Sequence, residues 1–171
     1  MKVVLVGYMA SGKSSIGRLL AKELSVEFID LDEYIEEQMD KSIATIFSQK
    51  GEIYFRKKEH EMLTKVLNNN KSMVLSTGGG TPCYANNMET ILKNSDHSIY
   101  LQLSVSSLVD RIQNEKEKRP LVKNVADSEL SEFIGKHLFE RRQFYSQASC
   151  TIDCNNKSIA TLTSEIKELL L

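Results

Sequence analysis

The chain has 171 residues, room for one domain with a real hydrophobic core. Apolar residues make up 41% and charged residues 26%, with two prolines, a composition that excludes a disordered or fibrous chain. Lys plus Arg number 22 against 23 Asp plus Glu, so no charge excess points to nucleic acid or an anionic membrane as partner.

The first predicted element is "KVVLV" (Lys2 to Val6), a β-branched run that reads as a fully buried strand. It is too short for a signal-peptide core or a membrane span, so a cytoplasmic location is expected. A glycine-containing loop follows, and then Ile16, Leu19, Leu20 and Leu24 recur at helical spacing. "VEFID" (26–30) reads as a second strand. Helical stretches are expected near 33–39, from Ser42 as an N-cap, and over about 52–67.

"SMVLST" is the third strand and "SIYLQL" (98–103) the fourth. The helix after it gives way to "NEKEKRPL", and a long helix is expected around 128–146. "CTID" is a short fifth strand. Ile159, Leu162, Ile166, Leu169 and Leu170 form the apolar face of a closing helix. Strands that alternate with helices and are apolar throughout predict a parallel sheet covered on both faces. The three cysteines, Cys83, Cys150 and Cys154, are few and odd in number. Cys150 and Cys154 share a strand face but lack a partner cluster, so they read as spectator thiols.

In such sheets ligands collect beyond the carboxyl ends of the strands. After the first strand, "GYMASGKSS" (7–15) matches G-x-x-x-x-G-K-[ST] between a strand and a helix. Its glycines let backbone N–H groups turn inward around a phosphate, Lys13 reaches the β- and γ-phosphates, and the Ser14 hydroxyl suits Mg²⁺. The chain is therefore expected to bind a nucleoside triphosphate.

After the second strand, Asp30 and Asp32 in "DLD" project from the same side if the chain is extended there. One carboxylate near Mg²⁺ and one near an acceptor hydroxyl is what phosphoryl transfer to an alcohol requires, with Asp30 the metal candidate. Helix capping by Asp32 is the alternative.

After the third strand come Gly78, Gly79 and Gly80. Glycine leaves only backbone, so either a compact ligand approaches the sheet edge there or the run is a flexible turn. "NEKEKRPL" is either a solvated loop or a lid that brings Arg119 to the phosphates. Arg56, Arg141 and Arg142 are forks suited to a planar carboxylate. His60, His97 and His137 show no partner pattern and receive no role.

Taken together, "GYMASGKSS", "FIDLD", "GEIYFRKKE", "STGGGTP", "KRPL" and "RRQFY" resemble, in order and spacing, the motifs of the shikimate kinases. These are P-loop enzymes of the nucleoside-monophosphate-kinase type. The resemblance implies one three-layer α/β/α domain over 1–171, with a five-stranded parallel sheet in the order 2-3-1-4-5. It further implies a substrate-binding helical segment at about 32–60, a lid at about 112–124 and a monomer.

By the same resemblance the reaction is transfer of the γ-phosphoryl of ATP to the 3-hydroxyl of shikimate, with Mg²⁺, in the route to chorismate and the aromatic amino acids. Lys13, Asp32 and Arg119 would be catalytic. Ala10, Ser11, Gly12, Lys13, Ser14, Ser15, Arg111 and Arg119 would hold ATP, with the loop 155–159 beside the adenine. Asp32, Arg56, Gly78, Gly79, Gly80 and Arg141 would hold shikimate, and Ser14 with Asp30 (through water) the metal. "RRQFY" lacks the proline usual in that motif, so Arg141 is preferred over Arg142 on its spacing to Tyr145. A kinase of gluconate or a nucleoside monophosphate is the alternative. A GTPase is disfavoured, because no Asn-Lys-x-Asp follows any strand.

Overall fold

A computed structural model describes residues 1–69 and 71–170. Five strands, β1 (Lys2–Val6), β2 (Glu27–Asp30), β3 (Met73–Ser76), β4 (His97–Gln102) and β5 (Cys150–Asp153), form one sheet in the order β2-β3-β1-β4-β5. Every pairing is parallel. Central β1 is buried on both faces, as its unbroken apolar run requires. Its neighbours β3 and β4 lead the chain to opposite sides, so the crevice of a doubly wound sheet opens at the carboxyl end of β1.

The helices are α1 (Lys13–Leu24), α2 (Leu31–Met39), α3 (Ile43–Leu67), α4 (Asn87–Asn94), α5 (Val105–Gln113), α6 (Leu130–Tyr145) and α7 (Ile159–Leu170). Two departures from the sequence reading matter. First, α2 starts at Leu31 because the Asp30 carboxylate caps it, accepting from the N–H groups of Asp32 and Glu33. Asp32 is therefore inside the first turn, neither in extended chain nor the cap.

Second, α4 was not foreseen; it buries Asn87, Met88 and Ile91 beneath the glycine loop. The two helices expected from Ser42 and over about 52–67 are both present, meeting within α3 at a kink at Gly51, whose φ of 81° is left-handed. On α7 only Leu162 and Ile166 of the expected apolar face are fully buried, while Ile159 and Leu169 are exposed. Among the described residues no helix is long and apolar enough to cross a membrane.

Candidate active site

The phosphate loop gets its shape from Gly12, the residue that enters α1 with φ 94° and brings no capping side chain. In contrast, the side chains of Asp30, Ser42 and Ser104 cap α2, α3 and α5. The first-turn amides of α1 are thus left for an anion. Lys13 folds back over the loop and donates to the carbonyls of Gly7 and Tyr8, both at 2.8 Å. Burial lowers its pKa to about 8, against the opposing pull of Asp32 and Asp30. Ser14 Oγ donates to Asp30 Oδ2 at 2.6 Å and stands 3.4 Å from Ser76 Oγ. The register explains this, since Asp30 and Ser76 are paired across β2 and β3.

The three glycines each face one of the acceptor-side residues. A Cβ on Gly78 would meet Asp32 Oδ1 at 2.9 Å. On Gly79 it would lie 3.5 Å from Arg141 Nη1, and on Gly80 it would meet Arg56 Nη2 at 2.9 Å. None of the three has a positive φ, so glycine is required here by close approach and not by backbone conformation. Burial raises the pKa of Asp32 to about 6, with Asp30 and Glu59 adding repulsion and Lys13 opposing. Arg141 is buried and Arg142 exposed, which separates the two arginines of "RRQFY".

Glu59, which the sequence reading missed, is 1% exposed. It takes Arg56 Nη1 at 2.9 Å on Oε2 and the Thr81 hydroxyl at 2.7 Å on Oε1. Asn87 continues the chain of contacts: its amide nitrogen donates to Thr81 O at 2.9 Å, and its Oδ1 lies 2.7 Å from His60 Nδ1. His60 thus has a role after all, as a support for the loop. The guanidinium carbon of Arg56 lies over the Tyr84 ring, 3.9 Å from its centre. The one legible signal was Glu59, three residues beyond Arg56 on the same helix face.

A cavity of about 530 Å³ runs from Asp32 past Lys13 to Arg119, Arg111 and Ile159. Ala10, Gly12, Ser14 and Ser15 line it, while Ser11 is buried beneath and hydrogen-bonds Lys13 at 3.4 Å. Arg111 Nη1 donates to Ala10 O at 3.1 Å. Arg119 pairs with Glu115 at 2.5 Å, and its Nε is buried without a hydrogen-bond partner, as is Arg56 Nε. Arg56, Gly80 and Arg141 stand beyond the cavity wall, joined to it through Gly79. The expected residues therefore form two adjoining compartments. Cys150 opens β5, but the strand ends at Asp153, so Cys154 lies just beyond it and the two do not share a strand face as expected; among the described residues no cluster fit for a metal includes them.

A family model for shikimate kinase matches residues 9–171. The chain belongs to the shikimate kinase family. It is 50% identical over 169 residues to the shikimate kinase of Flavobacterium psychrophilum, which covers 99% of this chain and 98% of that one. Among solved structures, the shikimate kinase of Bacteroides thetaiotaomicron superposes with a TM-score of 0.91 at 35% identity, covering 99% and 98% of the two chains. The shikimate kinase of Acinetobacter baumannii in complex with shikimate gives 0.88 at 31% identity, covering 99% and 92%. The sheet order expected of the family is the one observed.

Proposed function

We propose that this chain transfers the γ-phosphoryl group of ATP to the 3-hydroxyl of shikimate, acting as a cytoplasmic monomer with one kinase domain over 1–171. One observation carries the reading. Two arginines and a carboxylate converge on three bare glycines, directly beyond a phosphate-binding loop. A small ring that bears a carboxylate and several hydroxyls matches that set, because guanidinium forks hold the acid and Asp32 holds the alcohols.

In this reading the cavity of Ala10, Ser11, Gly12, Lys13, Ser14 and Ser15 takes the phosphates, and Arg111 with Ile159 flanks the base. Lys13 leaves the Gly7 and Tyr8 carbonyls for the terminal phosphates. Asp32, with its pKa near 6, is ionised at neutral pH and accepts the proton of the hydroxyl it orients. Arg119 exchanges Glu115 for the transferring group when the segment 112–124 acts as a lid. Fixed charge and alignment supply most of the acceleration in such a site. The flap at 32–60 carries Asp32 and Arg56.

The oxygen-only set of Ser14, Asp30 and Ser76 suits a hard cation that keeps most of its waters. Mg²⁺ bound by Ser14, with Asp30 reached through water, would neutralise charge on the β- and γ-phosphates. The deciding experiment is a coupled ADP-release assay with shikimate present and absent. ADP release that depends on shikimate supports the reading. Equal release with gluconate or a nucleoside monophosphate would overturn it.

A further inference from the structure

We propose that Tyr8 and His137 form a positioning pair that sets the place of Arg141, so that a residue of the phosphate loop serves acceptor binding. The inference rests on the assignment of Arg141 to an acidic acceptor. It starts from a difference between the two acceptor-side arginines, Arg56 and Arg141. Arg56 is held by carboxylates, Glu59 at 2.9 Å and Glu52 at 3.5 Å. Among the described residues no carboxylate lies within ion-pair distance of Arg141, so its position depends on how α6 is docked.

That docking runs along one stripe of α6. Phe133, His137, Arg141 and Tyr145 recur every four residues and so share a face. Tyr145 Oη donates to Gly79 O at 2.5 Å. His137 Nδ1 lies 2.8 Å from Tyr8 Oη, with the rings edge to face at 5.4 Å, and Phe133 backs the imidazole at 5.6 Å. The guanidinium carbon of Arg141 is 5.9 Å from the Tyr8 ring centre. Arg141 is thereby bracketed along the helix by two hydrogen bonds, one to each loop that forms the site.

Tyr8 is 1% exposed, and a hydroxyl so buried needs a partner. Its carbonyl meanwhile takes Lys13. One residue therefore touches the phosphate-binding lysine through its main chain and the acceptor helix through its side chain. Burial and the nearby Arg141 charge lower the pKa of His137, which keeps the ring neutral and leaves the arginine as the cation offered to an acid. A neutral imidazole completes the bond to a hydroxyl in either tautomer, since the hydroxyl both donates and accepts.

The test compares His137→Leu, His137→Gln, Tyr8→Phe and the double variant Tyr8→Phe with His137→Leu. Steady-state kinetics with shikimate and ATP are measured beside thermal melting. The KM for shikimate should rise about three- to tenfold in His137→Leu and Tyr8→Phe, the range one hydrogen bond commands. In His137→Leu, kcat and the KM for ATP should stay within about twofold. Gln at 137 should restore the shikimate KM, and the double variant should be no worse than either single one.

An unchanged shikimate KM in His137→Leu, or additive losses in the double variant, would overturn the pair. So would a parallel loss of melting temperature and both KM values that Gln does not rescue. If the wild type turned over another acid and not shikimate, the function assigned above would fall, and the pair would be judged on that acid's KM.

Discussion

Asp32 and Gly78 are in contact: a methyl group on the glycine would stand 2.9 Å from the carboxylate oxygen. The atom met most closely is a side-chain end, with the Thr81 hydroxyl next at 3.0 Å, so the protein can give way by a few tenths of an ångström at small cost to stability. The displaced group is the one that aligns the acceptor. Gly78→Ala, and likewise Gly80→Ala against Arg56, should therefore fold with a near-normal melting temperature. The acceptor KM should rise on the order of tenfold or more, because a small misplacement of a positioning group is costly. Kinetics with each substrate varied in turn check this, and a KM shift for ATP alone would contradict it.

Asp32 holds its charge in an unfavourable place. Its carboxyl titrates near 3.8 when unfolded and near 6 when folded. Between those values the folded state carries the extra proton, so stability falls as pH rises through that window and the deficit is complete above about 6. Asp32→Asn removes the ionisation. At pH 7 it should stabilise the ligand-free protein by roughly 2–3 kcal/mol while lowering turnover by a factor on the order of 10²–10⁴. Denaturant melts and single-turnover assays on one preparation measure both.

The free enzyme needs Asp32 ionised and Lys13 protonated. With pKa values of about 6 and about 8, kcat/KM should trace a bell whose acid limb belongs to Asp32 and whose basic limb belongs to Lys13. In Asp32→Asn the residual activity should lose the acid limb and keep the basic one. A pH series on both proteins is the check.

Glu59 carries charge in the core only because Arg56 and Thr81 answer it. Glu59→Ala leaves the guanidinium without its main partner and should cost on the order of 3 kcal/mol. Glu59→Gln keeps the shape and an acceptor for Thr81, so it should fold, with the acceptor KM raised about tenfold by the loosened Arg56. Thermal melts separate the two variants.

Asp30→Asn keeps an oxygen able to cap α2, so the fold should survive. The lost charge should raise the Mg²⁺ concentration for half-maximal rate by several-fold, with little change in shikimate KM. A titration of rate against free Mg²⁺ reads this directly.

The sheet and its ligand edge were legible because β1 and β3 are continuous apolar runs that end in phosphate-loop and glycine chemistry. The finer misses have physical causes. α4 offers only one buried apolar pair, Met88 and Ile91, and follows Asn86 in left-handed backbone with no side-chain cap, so neither periodicity nor capping announces it. The start of α2 was misplaced because the Asp30 side chain turns the chain one residue earlier than an extended "DLD" allows. The spacing of Glu59 to Arg56 could be read from the helix, but its burial could not, because its second partner, Thr81, is 22 positions away. The same holds for Tyr8 and His137, 129 apart, whose pairing is set by how α6 lies across the loop. Contacts within a helix turn can be read off a sequence, whereas contacts between remote segments wait for the packing.

Lys13, turned inward onto the Gly7 and Tyr8 carbonyls, has one further consequence. Its ammonium is tethered to two main-chain oxygens of the phosphate loop, bonds it must trade to reach a phosphate. How tightly a nucleotide guest is held is thus a net quantity, what the ammonium gains from phosphate less what it gives up in leaving two amide oxygens. Tuning those oxygens, with no change to any group that touches the guest, alters its grip.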